Sequence, residues 1–140
     1  MKVVIDSSAL VKRYIEEPGS QALEEILEDA SELGLSIILT PEAISAFNRL
    51  LREGRISAEE YTLIKMALLE DVRDATVLQI TPEVIAYAVM LLEKNVLRSL
   101  DALHVACALA WRTELFVTAD KRQMQAAINA GLQTHFVGVA

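Results

Sequence analysis

Apolar positions recur along this chain with two periods, and the switching between them sets out the elements. Residues 2–5 (KVVI) form a short β-branched run and predict a central buried strand. Similar runs recur at 35–40 (LSIILT), 76–80 (TVLQI), 114–119 (ELFVTA) and 134–139 (THFVGV). Between them the spacing becomes helical. Ser7 or Ser8 is expected to cap a first helix over 8–17, stopped by Pro18-Gly19. Over 20–33, Ala22, Leu23, Ile26, Leu27 and Ala30 share one face with acids opposite, and Gly34 is expected to end that helix.

Thr40-Pro41 predicts a third helix, with threonine as N-cap and proline at the first helical position, closed by Gly54. Ser57 and Glu60 form a capping box for a fourth helix running to about Asp74. Thr81-Pro82-Glu83 starts a fifth, ending near Asn95. A sixth begins at Ser99 and is apolar on nearly every side, and a seventh over 120–131 stops at Gly131. Met66, Met90 and Met124 fall on apolar helix faces and read as core. The order β-α-α-β-α-α-β-α-α-β-α-β implies an α/β fold with a central parallel β-sheet flanked by helices on both faces. The 140 residues fit one domain, 1–140, with no linker or repeat.

Composition narrows the function classes. The net charge is −7, so nucleic acid is not attracted by the chain as a whole, and such a role would rest on local basic residues or bound cations. The hydrophobic fraction is 53% and the mean hydropathy +0.33, so apolar surface is expected at a subunit or partner interface as well as in the core. A single cysteine, Cys107, permits no internal disulfide and makes the cytoplasm the natural compartment. MKVVID opens as a strand rather than as a signal peptide, and no apolar stretch reaches the ~20 residues of a membrane span.

The candidate chemistry lies in four acids at strand-to-helix junctions: Asp6, Glu42, Asp101 and Asp120. In open parallel sheets ligands bind beyond the carboxyl ends of the strands, and Asp6, Glu42 and Asp120 each follow one. Asp101 opens the most apolar helix, where an isolated carboxylate is costly. Each acid also has an ordinary reading: Asp6 as an N-cap, Glu42 complementing a helix dipole, Asp120 in a capping box with Gln123. Capping alone does not require the four to meet. Carboxylates that do meet repel one another, and a divalent ion would offset this; oxygen-only ligands suit magnesium or manganese. His104 lies one turn after Asp101 and reads first as a core histidine, second as a partner of the acids. Lys12, Arg13, Arg49, Arg52, Arg98, Lys121 and Arg122 lie near the acids in sequence and could hold phosphates or simply solvate helices.

At VIDSSALVKRYIEEPGS, TPEAISAFNRLLREGRIS, LRSLDALHVACALA and ELFVTADKRQ the sequence resembles the PIN-domain ribonucleases, most closely VapC toxins of toxin–antitoxin pairs. The resemblance implies a PIN fold in which Asp6, Glu42, Asp101 and Asp120 hold one or two Mg2+ or Mn2+ ions. It implies Ser8, and less directly Ser7, as the small polar residue beside the metal. It implies a metal-dependent endoribonuclease with an RNA substrate, a VapB-like antitoxin partner and a homodimer. Two alternatives stand beside this: a non-toxic PIN nuclease acting in RNA processing or on structured DNA, and a PIN-fold interaction module.

Overall fold

The computed structural model describes residues 1–139. Its sheet has five strands, β1 (Lys2–Ile5), β2 (Glu32–Ser36), β3 (Thr76–Leu78), β4 (Leu115–Thr118) and β5 (Thr134–Phe136), in the order β3-β2-β1-β4-β5. All four pairings are parallel, as the alternation of elements requires. The chain works outward from β1 to β3 on one side and then crosses to β4 and β5 on the other. The carboxyl ends of β1 and β4 therefore flank the switch point, where a crevice opens.

Among the described residues seven helices cover the two faces: α1 (Ser7–Leu10), α2 (Ser20–Asp29), α3 (Leu39–Arg52), α4 (Ala58–Asp74), α5 (Pro82–Lys94), α6 (Ser99–Trp111) and α7 (Lys121–Asn129). Alternate strand residues feed two cores. Val3, Ile5, Leu35 and Val117 pack with Leu10, Leu23, Phe47 and Leu68 under α1 to α4. Val4, Leu78 and Phe116 pack with Val84, Leu91, Val105 and Ala126 under α5 to α7. The small residues of α6 (Ala102, Ala106, Cys107, Ala108) are buried and let it lie close to the sheet.

The structure corrects the sequence-based reading in several places. The first helix is one α-turn capped by the Asp6 side chain, not by Ser7 or Ser8, and it passes into a 3-10 turn at Val11–Arg13. It stops there because the Ser20 hydroxyl takes the Lys12 carbonyl at 2.8 Å, while Lys12 Nζ turns back to Glu17 and the Pro18 carbonyl. The helix α2 ends at Asp29, and Gly34 is a strand residue rather than a stop. A Cβ on Gly34 would lie 2.7 Å from Cζ3 of Trp111, so the indole occupies the space a side chain would need. The second strand lies earlier than LSIILT, and α3 begins at Leu39; Thr40 is not its N-cap. Pro41 is accommodated because the first N–H groups of a helix have no internal partner to lose. Finally, Met66 is 56% exposed and joins Leu63 and Leu69 on the outer face of α4, while Ile64 and Leu68 face the core.

Candidate active site at the switch point

Asp6 follows β1 directly and is fully buried. Its Oδ1 accepts from the Ala9 amide at 2.9 Å, and its Oδ2 from the Thr118 hydroxyl at 2.6 Å, across the switch point at the end of β4. Ser8 Oγ sits 2.8 and 2.9 Å from the two carboxylate oxygens and accepts from the Ala119 amide at 3.0 Å. Burial pushes the Asp6 carboxyl above its ordinary range, against the lowering field of His104 and the hydrogen bonds from Thr118, Ala9 and Ser8.

Glu42 projects from the first turn of α3, as Leu39 enters the core and turns the helix over the sheet edge. Its Oε1 accepts from Ser7 Oγ at 3.0 Å and is bonded to Nε2 of the fully buried His104 on α6. Burial acts to raise the Glu42 pKa, but the bonds from His104 and Ser7 and the charges of His104 and Arg98 outweigh it and hold the carboxyl below its usual value.

Asp101, in the first turn of α6, accepts from Gln123 Nε2 on α7 at 3.0 Å, and Arg98 Nε lies 3.5 Å from its other oxygen. Arg98 is largely exposed, so that ion pair contributes little. Burial raises the Asp101 carboxyl, the nearby charge of Asp120 raises it further, and Glu42 adds to this against the lowering effect of Arg98. Asp101 and Asp120 line one depression, together with Arg98, Lys121 and Arg122. Asp120 caps α7, accepting from the amides of Arg122 (2.7 Å) and Gln123 (3.1 Å). The capping box read from the sequence forms only in part, because the Gln123 side chain reaches Asp101 instead of returning to Asp120. The Asp120 amide donates to Thr118 Oγ1 at 3.0 Å, so one threonine touches both Asp6 and Asp120.

The donor chemistry suits a hard divalent cation: carboxylate and hydroxyl oxygens with unbalanced negative charge, beside Gln123, which bonds Asp101 and whose buried Oε1 has no partner among the described residues. Among the described residues, no three Asp, Glu, His or Cys side chains are gathered closely enough to hold one ion as they stand. Asp120 is turned to its helix cap, so drawing it to a shared ion would require it to rotate.

The PIN-domain model matches residues 3–129. The chain belongs to the PIN-domain family. No curated protein matches it. Among solved structures, this PIN domain is similar to VapC20 of Mycobacterium tuberculosis, described as a sarcin-ricin-loop-cleaving toxin. The two share 13% identity and a TM-score of 0.68, over 89% of this chain and 94% of that one. It is similar to VapBC2 from Rickettsia felis bound to a promoter DNA fragment (15% identity, TM-score 0.67, 96% and 98% covered). It is also similar to FitAcB from Neisseria gonorrhoeae (13%, 0.69, 94% and 95%). At these identities the likeness establishes the fold.

Sequence reasoning gave His104 mainly a core role and did not single out Thr118 or assign Gln123 to Asp101. The only signal for His104 was its one-turn offset from Asp101. Thr118 and Gln123 carried none beyond their nearness to Asp120, since their partners are remote in sequence. Of the basic residues near the acids, Lys12, Arg13 and Arg98 are drawn into ion pairs with Glu17, with Glu24 and Asp71, and with Asp101. Among the described residues no helix is long and apolar enough to cross a membrane.

Proposed function

We propose that this PIN domain is a metal-dependent endoribonuclease that cleaves single-stranded or looped RNA. The observation that supports this is the approach of acids from separate segments beside the switch point: Asp101 and Asp120 line one depression, and Thr118 bonds both Asp6 and the Asp120 amide. Asp6 and Asp101 would hold Mg2+ or Mn2+ directly, Glu42 through water, and Asp120 would complete the set once turned from its cap. A bound cation supplies Lewis acidity, which makes water more acidic and neutralises phosphate charge. Ser8 and Thr118 orient Asp6, Gln123 orients Asp101, and His104 with Ser7 fixes Glu42 where it can take a proton from the attacking water.

Water attack on phosphorus, with the P–O3′ bond breaking and the 3′ oxygen leaving with a proton, yields 5′-phosphate and 3′-hydroxyl ends. The test is the end chemistry of the RNA fragments: substrates for 5′-phosphate-dependent ligation support the mechanism. Fragments ending in a 2′,3′-cyclic phosphate contradict it, since they come from attack by the ribose hydroxyl.

The reading includes a homodimer and a VapB-like antitoxin, since the VapBC family is named as one of toxin–antitoxin systems. Two outward apolar stripes support such contacts: Leu63, Met66 and Leu69 on α4, and Ile85, Val89 and Leu92 on α5. Light scattering should give twice the 15.4 kDa chain mass. A monomer at every concentration would remove the dimer from the reading.

A protein-interaction module is the second reading, favoured by the carboxylates not being drawn together as they stand. A cation that binds only the folded chain raises its thermal stability, whereas a module without a metal site shows no rise.

A further inference from the structure

We propose that the notch between α5 and α7 is a second contact for the substrate, holding backbone phosphates of single-stranded RNA beyond the scissile bond. The inference rests on the nuclease reading above and extends it from the reacting phosphate to the strand that carries it. The notch, of about 380 Å3, is lined by Lys94, Asn95 and Val96 at the end of α5 and by Lys121, Arg122, Gln125 and Asn129 along α7. Its lining has three cations and no carboxylate, in a chain whose net charge is −7. No ion pair among the described residues includes Lys94, Lys121 or Arg122. By contrast Lys12 and Arg13 are held by acids, and Lys2 lies over the Trp111 ring. The notch cations are therefore available to an anion.

Position identifies the anion. Lys121 and Arg122 also line the adjoining depression that contains Asp101, Asp120 and Arg98. A strand with one phosphate at the carboxylates runs past these two side chains and on to Lys94. A carboxylate-lined site in an acidic protein repels a polyanion, so the energy that holds the strand must come from cations placed beside the site. The amides in the notch are also arranged. Gln125 Nε2 donates to Asn129 Oδ1 (2.9 Å), Asn129 Nδ2 to Asn95 Oδ1 (2.9 Å), and Asn95 Nδ2 to the Leu91 carbonyl (3.0 Å). This chain of bonds fixes the polar side chains facing the sugar and base edges of a bound strand.

The test uses an Asp101→Asn background, in which the probe is not cut, and a fluorescein-labelled twelve-nucleotide oligouridylate. Its Kd is measured by anisotropy across a KCl series for that background, for added Lys94→Gln, and for Lys94→Gln with Arg122→Gln. A cation that no longer neutralises a phosphate of a single strand lowers the log–log salt slope by ~0.7, which is about five-fold weaker binding at 0.1 M salt. The expected result is therefore about five-fold for Lys94→Gln and about 25-fold for the pair, with both effects vanishing towards 1 M salt. Arg73→Gln, an exposed cation on α4, should change nothing. If Lys94→Gln behaves like Arg73→Gln while the unsubstituted protein still cleaves RNA with metal, the notch does not hold the strand and the nuclease reading stands. If the background variant does not bind the probe and the unsubstituted protein does not cleave, both fall together.

Discussion

His104 Nε2 on α6 is bonded to Glu42 Oε1 on α3, and the imidazole is fully buried while the carboxylate reaches the crevice. The two helices cover opposite faces of the sheet, so this bond ties the layers together at the carboxyl edge and fixes the direction of Glu42. His104→Ala leaves a cavity and a half-buried carboxylate without its strongest partner. The expected cost is about 2–4 kcal/mol, read as a lower urea midpoint at unchanged m-value. Cleavage should fall by about ten-fold or more through loss of Glu42 orientation. His104→Gln, which can still donate to Glu42, should recover part of both; equal loss in the two variants would mean the imidazole acts by packing alone.

Asp101 is expected to make stability depend on pH. Burial and the charge of Asp120 hold its carboxyl above the ordinary value of 3.8. The folded chain therefore keeps its proton at pH values where the unfolded chain has lost it. Stability falls as pH rises from the unfolded value through the raised folded value. Asp101→Asn removes that titration. In EDTA at pH 7 it should stabilise the fold by on the order of 1 kcal/mol, a Tm rise of about 2–4 °C, and the gain should vanish below about pH 3.5. A lower Tm for the variant at pH 7 would show that the carboxylate is not under repulsion.

Gly34→Ala tests the close approach of β2 and α6. Its methyl would meet the Trp111 ring at 2.7 Å and Leu78 Cδ1 at 3.2 Å. The expected loss is about 1–3 kcal/mol. In a Trp111→Leu background the same substitution should cost less, and a double-mutant cycle in thermal unfolding measures the coupling. Additive losses would mean that the indole does not set the need for glycine.

The order of elements and the parallel sheet were legible because each depends on local period and on turn residues that act where they stand. The capping box of Ser57 and Glu60 and the Thr81-Pro82 start of α5 form as read, since both motifs bond within one turn. Misreadings came where tertiary contacts decide. Gly34 has the look of a helix stop, but its role is set by a tryptophan far along the chain. Leu39 extends an apolar run that reads as strand, yet it is drawn into the core as the first residue of α3. The four acids proposed for the site were picked out by their junction positions. The residues that aim them could not be: Thr118 reaches back to Asp6 across 112 positions, and His104 reaches Glu42 across 62. Gln123 shows the limit most plainly, since a cap reading and a bond to Asp101 use the same residue at the same spacing.

The most direct test of the central claim is cleavage of a mixed RNA pool by the purified, partner-free protein across a Mn2+ and Mg2+ titration, beside Asp101→Asn. The expected result is cleavage that requires the cation, is absent in EDTA, and falls by at least about 100-fold in the variant while its fold is retained. Cleavage that persists in EDTA, or that survives in Asp101→Asn at saturating metal, would contradict a catalytic metal held by these carboxylates.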